Sequence, residues 1–272
     1  MVVQHNMQAA NTNRYLNISV NAQAKTTEKL SSGYRINRAA DDAAGLSISE
    51  KMRAQIRGLN QASSNCQDGT SLIQTAEGAL QEIHSILQRM SELSTQAAND
   101  TNVSTDRDAI KLELTALSSE ITRIANQTEF NTMKLLSGKF QNKNLQVGAN
   151  KMQNISFSIS GMSSKILSVT NEQLKVSTYA AATLTICTVH KAINIVSTQR
   201  SALGALQNRL EHTIANVDNV AENLQDAESG IRDTDMATEM VNYSKNNIIQ
   251  QAAQSMLSQA NQSTQGVLSL LQ

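Results

Sequence analysis

Residues 71–97 read SLIQTAEGALQEIHSILQRMSELSTQA. Within them Leu72, Ala76, Ala79, Ile83, Ile86, Met90, Leu93 and Ala97 follow one another in steps that alternate between four and three. This is an apolar seam of period 3.5, the spacing of a helix that packs lengthwise against another helix. The next stretch keeps the rhythm through Ile110, Leu114, Leu117, Ile121 and Ile124. Between the two, Asn99-Asp100-Thr101-Asn102 is turn chemistry, and Thr105 with Asp108 has the spacing of a capping box. The pair is predicted to form a helical hairpin.

A longer seam runs through the second half of the chain. Val189, Ile193, Val196, Leu203, Leu210, Ile214, Val217, Ala221, Leu224 and Ile231 hold one register. Arg200, Gln207 and Glu228 interrupt it. Polar seam residues either fix register and partner number or lie at the edge of the stripe. Between the halves the period changes. Leu145-Gln146-Val147-Gly148 and Ile155-Ser156-Phe157-Ser158-Ile159 alternate apolar and polar, as a strand does, and Gly138, Gly148 and Gly161 punctuate them. A small β-hairpin region is expected from about 140 to 180. The simplest partner for the second seam is the first helical hairpin. The predicted fold is therefore mainly α, a long antiparallel helical bundle with the β region at its far tip and both chain ends together at the other.

Composition agrees. Among 272 residues there is no proline, where average usage of roughly 5% would give about fourteen. Proline removes a helix donor and clashes with the preceding turn, so its avoidance fits long helices. Lys plus Arg and Asp plus Glu both number 23, so no global field draws in nucleic acid or an anionic membrane. Aromatics are 3% and Trp is absent, which leaves little to stack bases or sugars upon. Cys66 and Cys187 form no C-x-x-C, and the expectation is two small packing residues rather than a metal or redox pair. The N-terminal residues lack the pattern of a signal peptide, and no stretch is read as a spanning helix. From composition alone the chain reads as cytoplasmic, unless a dedicated channel exports it.

The termini carry thinner stripes, Leu16, Val20, Ala24 and Leu30 at one end and Ile248, Ile249, Ala252, Met256 and Ala260 at the other. Single helices of this kind are marginal in water, so both ends are expected to order on assembly.

Four segments carry a family resemblance: KLSSGYRINRAADDAAGL at 29–46, RGLNQASSNCQDGTSLIQTAEGAL at 57–80, QRSALGALQNRLEHT at 199–213 and ESGIRDTDMATE at 228–239. The ending QANQSTQGVLSLLQ joins them. Together they resemble bacterial flagellins, in order and spacing, over nearly the whole chain except about 140–185. The resemblance implies a structural subunit of the flagellar filament, secreted through the flagellar type III apparatus without a cleaved signal peptide. It implies a terminal coiled-coil domain (1–43 with 229–272), a helical spoke domain (44–228) and almost no variable outer insert. It implies a homopolymer whose other partners are a secretion chaperone, the filament cap and hook-associated proteins. No cofactor is implied.

The same resemblance marks residues. Arg35, Arg38, Asp41 and Asp42 would make intersubunit salt bridges, where the residues alone favour a solvated loop. Leu268, Leu270 and Leu271 would make filament contacts. QRMSEL at 88–93 is similar to the segment that Toll-like receptor five grips, with Arg89, Leu93 and Glu113 as main contacts and Gln88 and Glu92 in support. Arg89 and Leu93 are four apart and share a helix face, yet Leu93 also belongs to the seam.

No enzyme motif competes. His5, His84, His190 and His212 are isolated, and there is no H-E-x-x-H, P-loop or G-x-S-x-G. The alternatives are a hook–filament junction protein and a secreted coiled-coil ligand acting as a monomer.

Overall fold

The computed structural model describes residues 6–270, with side chains through residue 263. Its elements are α1 (Met7–Ser32), α2 (Ala43–Ala97), α3 (Ser104–Gln127), β1 (Glu129–Phe130), β2 (Met133–Lys134), β3 (Lys143–Gln146), β4 (Asn154–Phe157), α4 (Tyr179–Arg232) and α5 (Met236–Leu270). They form two compact units, Ile56–Ala221 and Met1–Gln55 with Glu222–Gln272.

In the first of these units α2, α3 and α4 share one core. Ile73, Ala76, Leu80, Ile83, Leu87, Met90 and Ala97 are fully buried, and Leu72 and Leu93 nearly so. The apolar stripe is broader than the predicted seam, and its centre is shifted. Ile73, Leu80 and Leu87 are at the centre, whereas Ala79 and Ile86 are half-buried flanks. A two-helix seam needs only two positions per heptad. A helix touched by two neighbours needs a wider face. Each fully buried Leu, Ile or Met contributes on the order of 1.5–3 kcal/mol.

The order of contacts fixes the helix directions. Glu77 lies 3.7 Å from Arg200, and a Cβ on Gly69 would lie 3.4 Å from Leu210, so α4 runs antiparallel to α2. Arg200, Gln207 and Glu228 are half-buried at the stripe's edge. Arg200 pairs with Glu77, though its Nε has no hydrogen-bond partner among the described residues, and the Gln207 amide donates to Glu211 at 3.0 Å.

The α2–α3 turn is where it was predicted, but its cap is not. Helix α3 starts at Ser104, and the Asp106 carboxylate reaches back to accept from the Val103 N–H at 3.3 Å. Thr105 lies inside the first turn and Asp108 just past it. Asn99 supplies the turn, its side-chain oxygen accepting from the Thr101 N–H and its carbonyl from the Asn102 N–H.

The β region is smaller than 140–180. Strands β3 and β4 pair antiparallel, Leu145 opposite Ile155, and a second tight hairpin joins β1 to β2 through Asn131 and Thr132, both at positive φ. The β3–β4 hairpin lies along α2. The Asn65 amide donates to the Gln146 carbonyl at 3.2 Å, and a Cβ on Gly58 would come within 2.8 Å of Ala149. That close approach requires glycine at 58, and it places the hairpin on a flank of α2 instead of beyond the helix ends. Residues 158–178 are an irregular strap whose Ile159, Met162, Leu167, Val169, Leu174 and Val176 are buried. Ser118 anchors it by donating to the Val169 carbonyl at 2.7 Å.

An 18-residue window of α4 reaches a mean hydropathy of 1.2, enough to qualify as a span by length and composition. No spanning helix was expected there. Its buried Ala182, Thr185, Val189, Ala192 and Val196 recur at helical spacing, which is the pattern of a helix packed on one side.

Candidate functional site

The terminal unit brings the chain ends together. The Asn6 amide donates to the Ala260 carbonyl at 3.0 Å, Ser19 donates to the Asn246 carbonyl at 3.4 Å, and Tyr34 bridges to Asp233. Residue numbers rise on one side as they fall on the other, so α1 and α5 pair antiparallel. The residues this contact buries most fully are small or polar. Its buried residues include Ser19, Thr26, Glu239 and Ala260.

The apolar residues of the terminal stripes mostly face outward. Ile18 is 56% exposed, Val241 68%, Ile248 67% and Met256 62%. Val20, Ile249 and Ala252 are also exposed, while Leu16 and Leu30 are half-buried and Ala260 is covered. Large apolar side chains left exposed in number are a feature of association surfaces. Leu268 and Leu270 lie outside the residues whose side chains are described, and Leu271 lies outside the described chain.

The turns joining these helices to α2 and α4 are tied to each other. The Arg35 N–H donates to the Arg232 carbonyl at 2.7 Å, the Thr234 N–H to the Gly33 carbonyl at 3.0 Å, and Arg35 Nη2 to the Ile231 carbonyl at 2.5 Å. Gly33 has φ +74 and ends α1, a left-handed conformation that favours glycine.

Within one subunit, the four charged residues of this loop have local partners. Asp42 Oδ1 accepts from the Gly45 N–H at 2.9 Å, just ahead of Ala43, and so caps α2. Asp41 accepts from the backbone N–H groups of Arg38 and Asn37. The Arg38 hydrogen bond is the leading cause of a carboxyl pKa held below its ordinary value, with Asn37, Lys25 and Lys29 adding to it against burial. Arg35 spends its donors on a carbonyl. Arg35 and Asp41 stay exposed all the same, as does Arg38, whose side chain is 72% exposed and paired with Glu28. Asp42 finds its partner because an aspartate just before a helix start has orphan N–H groups within reach, whereas Asp41 accepts from the loop N–H groups that precede it.

On the outer face of α2 and α3, Arg89 lies 3.1 Å from Glu113 and 3.2 Å from Glu92. All three are exposed. Glu92 first and Glu113 next raise the Arg89 pKa above its ordinary value. Gln88 is exposed beside His84. Leu93 is not on this face. It is 2% exposed and sits in the core, because its heptad position turns it inward.

The described residues contain no cluster of His, Cys, Asp or Glu that could hold a metal ion. Cys66 is buried and Cys187 exposed, both as free thiols. Burial first, then Asp218, pushes the Cys66 thiol pKa up, which keeps it unreactive.

Comparison with known proteins decides what these ends are. Residues 3–141 match the family model "Bacterial flagellin N-terminal helical region", and residues 186–271 match "Bacterial flagellin C-terminal helical region". The chain belongs to the bacterial flagellin family. The flagellin of Halalkalibacterium halodurans is 53% identical over 271 residues, covering 100% of both chains. That of Bacillus subtilis is 50% identical over 303 residues, also covering 100% of both. A solved structure of a putative flagellar hook-associated protein from Vibrio parahaemolyticus is 14% identical, covers 71% of this chain and 98% of that one, and has a TM-score of 0.57. That is a likeness of fold alone. As a flagellin, the chain is a structural subunit of the flagellar filament and not an enzyme. Only residues 142–185 separate its two family regions, so it lacks a large outer domain.

Proposed function

We propose that the chain polymerises through its paired terminal helices, with α1 and α5 forming the inner core of the filament and residues 44–228 the surrounding spoke. The observation that carries this is the mismatch at the ends. The α1–α5 contact buries small and polar residues while Ile18, Val241, Ile248 and Met256 stay exposed. Neighbouring subunits would cover that row. Burying one such side chain contributes about 1.5–3 kcal/mol, and every subunit added repeats the contact. The test is elongation of filament seeds by an Ile248→Asp variant. Elongation should stop while the monomer keeps its melting temperature, and wild-type elongation would refute the reading.

The flagellin identity supports the rest of the assembly path as inference: export through the type III apparatus, a chaperone on the C-terminal region before export, and cap and hook-associated proteins at the filament's ends.

A second role rests on the α2–α3 face. The free subunit is a ligand of Toll-like receptor five through Arg89 and Glu113, with Gln88 and Glu92 beside them. A charged group held on a rigid helix face suits an interface anchor, and Arg89 is held by two carboxylates. Leu93 supports this site from beneath. Arg89→Ala should weaken receptor binding in surface plasmon resonance, and unchanged affinity would remove the site.

A further inference from the structure

The chain as a whole is neutral, yet its spoke unit is not evenly charged. Between β1 and β4 the charged residues are Lys134, Lys139, Lys143 and Lys151 against the single acid Glu129. All four lysines are exposed, and none makes an ion pair among the described residues. The outer α2–α3 face is the reverse. Glu82, Glu92, Glu113 and Glu120 outnumber Arg89 and Arg123. Each arginine is already held by its own glutamates, and Glu82 has no basic partner among the described residues.

The acidic face also has a hollow. A cleft of about 410 Å³ lies between the two helices, lined by Gly78, Ala79 and Glu82 on one side and Glu120, Arg123 and Gln127 on the other. Gly78 opens it, since a Cβ there would meet nothing within 4 Å. The β3–β4 hairpin, which carries Lys143 and Lys151 and follows Lys134 and Lys139 in the chain, packs elsewhere on α2, around residues 58–69.

We propose that the lysine-rich hairpin of one subunit docks on the acidic cleft of a second copy of this chain, making a charge-steered contact between spokes. This inference rests on the homopolymer reading above. Two unlike, complementary patches on one body make a heterologous contact, which generates open filaments where rotation does not close. Segregated charge in a neutral chain suits that contact better than it suits a nucleic acid or an anionic membrane. Either of those would meet the acidic face as well. Complementary patches mainly set register and encounter rate. The contact should weaken with salt, because the screening length shrinks from about 8 Å at physiological ionic strength to about 3 Å at 1 M.

The test uses two full-length variants and wild-type filament seeds. One reverses the hairpin, Lys139→Glu/Lys143→Glu/Lys151→Glu. The other reverses the cleft, Glu82→Lys/Glu120→Lys. Each alone juxtaposes like charges at every new contact and should elongate seeds about tenfold more slowly than wild type, or not at all. An equimolar mixture should elongate, since the reversed hairpin of one variant then meets the reversed cleft of the other, and the two native patches meet each other. Wild-type elongation by either variant alone would overturn the proposal. So would a mixture as slow as its components, because rescue is what charge pairing demands. Circular dichroism checks the folding of each monomer. If a reversal unfolds, the neutral Lys→Gln and Glu→Gln versions take its place and should slow elongation in low salt only. Wild-type monomer failing to elongate its own seeds would contradict the terminal-helix reading instead, so the two failures are separable.

Discussion

The Arg232 guanidinium lies 4.6 Å from the centroid of the Tyr34 ring. The contact joins the last residue of α4 to the turn after α1, at the point where the two terminal helices leave the rest of the chain. Arg232 also pairs with Glu50 at 3.1 Å and with Glu228 at 4.0 Å, and its side chain is 15% exposed. Its Nε has no partner among the described residues, so the interaction depends on stacking and on the terminal nitrogens. Arg232→Ala should destabilise the terminal unit by about 1–2 kcal/mol. Arg232→Lys should recover only part of this, because an ammonium does not stack as a planar guanidinium does. Amide exchange at residues 33–36 and 231–235 measures both.

Asp42 gives a second prediction. Its carboxylate caps α2, so Asp42→Ala should cost about 1 kcal/mol of monomer stability, and Asp42→Asn or Asp42→Ser should restore most of it. Thermal melting of the monomer is the readout. A loss of filament stability without a loss of monomer stability would instead assign Asp42 to an intersubunit contact.

Leu93 and Arg89 should separate folding from recognition. Leu93→Ala empties a nearly sealed site and should cost about 2–5 kcal/mol in urea unfolding. Arg89→Ala removes exposed ion pairs and should change stability by less than about 1 kcal/mol. Any receptor effect of Arg89→Ala is then a surface effect.

Acid should loosen the terminal unit. The Thr238 hydroxyl leads, with the backbone N–H groups of Thr238 and Ala237, in holding the Asp235 carboxyl pKa below its ordinary value. Asp41 is lowered in the same direction. A carboxylate depressed in the folded state contributes stability above its unfolded pKa, near about 3.9, and loses it as pH falls through the lower folded value. The urea midpoint should therefore drop at acid pH, and Asp235→Asn should flatten that slope. An equal slope in the variant would contradict the assignment.

The long helices, the turn at 99–102 and the antiparallel bundle were legible because an apolar repeat of 3.5 residues, kept over many turns, suits packed helices and little else. The centre of the seam was not legible. Ala79 and Ile86 fit a two-helix register as well as Leu80 and Leu87 do, and only the presence of a third helix selects between them. The capping of α2 by Asp42 was not legible, because orphan backbone N–H groups are visible only once the helix start is known. The capping role of Asp106 was missed for a related reason. Val103 at the cap position has no side-chain acceptor to signal it. The hairpin's place along α2 could have been sought at Gly58 and Gly69, two glycines inside a long helix where close approach is the usual cause.

The most direct test of the central claim is seeded polymerisation of the full chain beside a truncation lacking residues 1–30 and 243–272, read by negative-stain electron microscopy. The account predicts filaments from the full chain and none from a truncation that still folds its spoke. Filaments from the truncation at the full-chain rate would contradict assembly through the terminal helices.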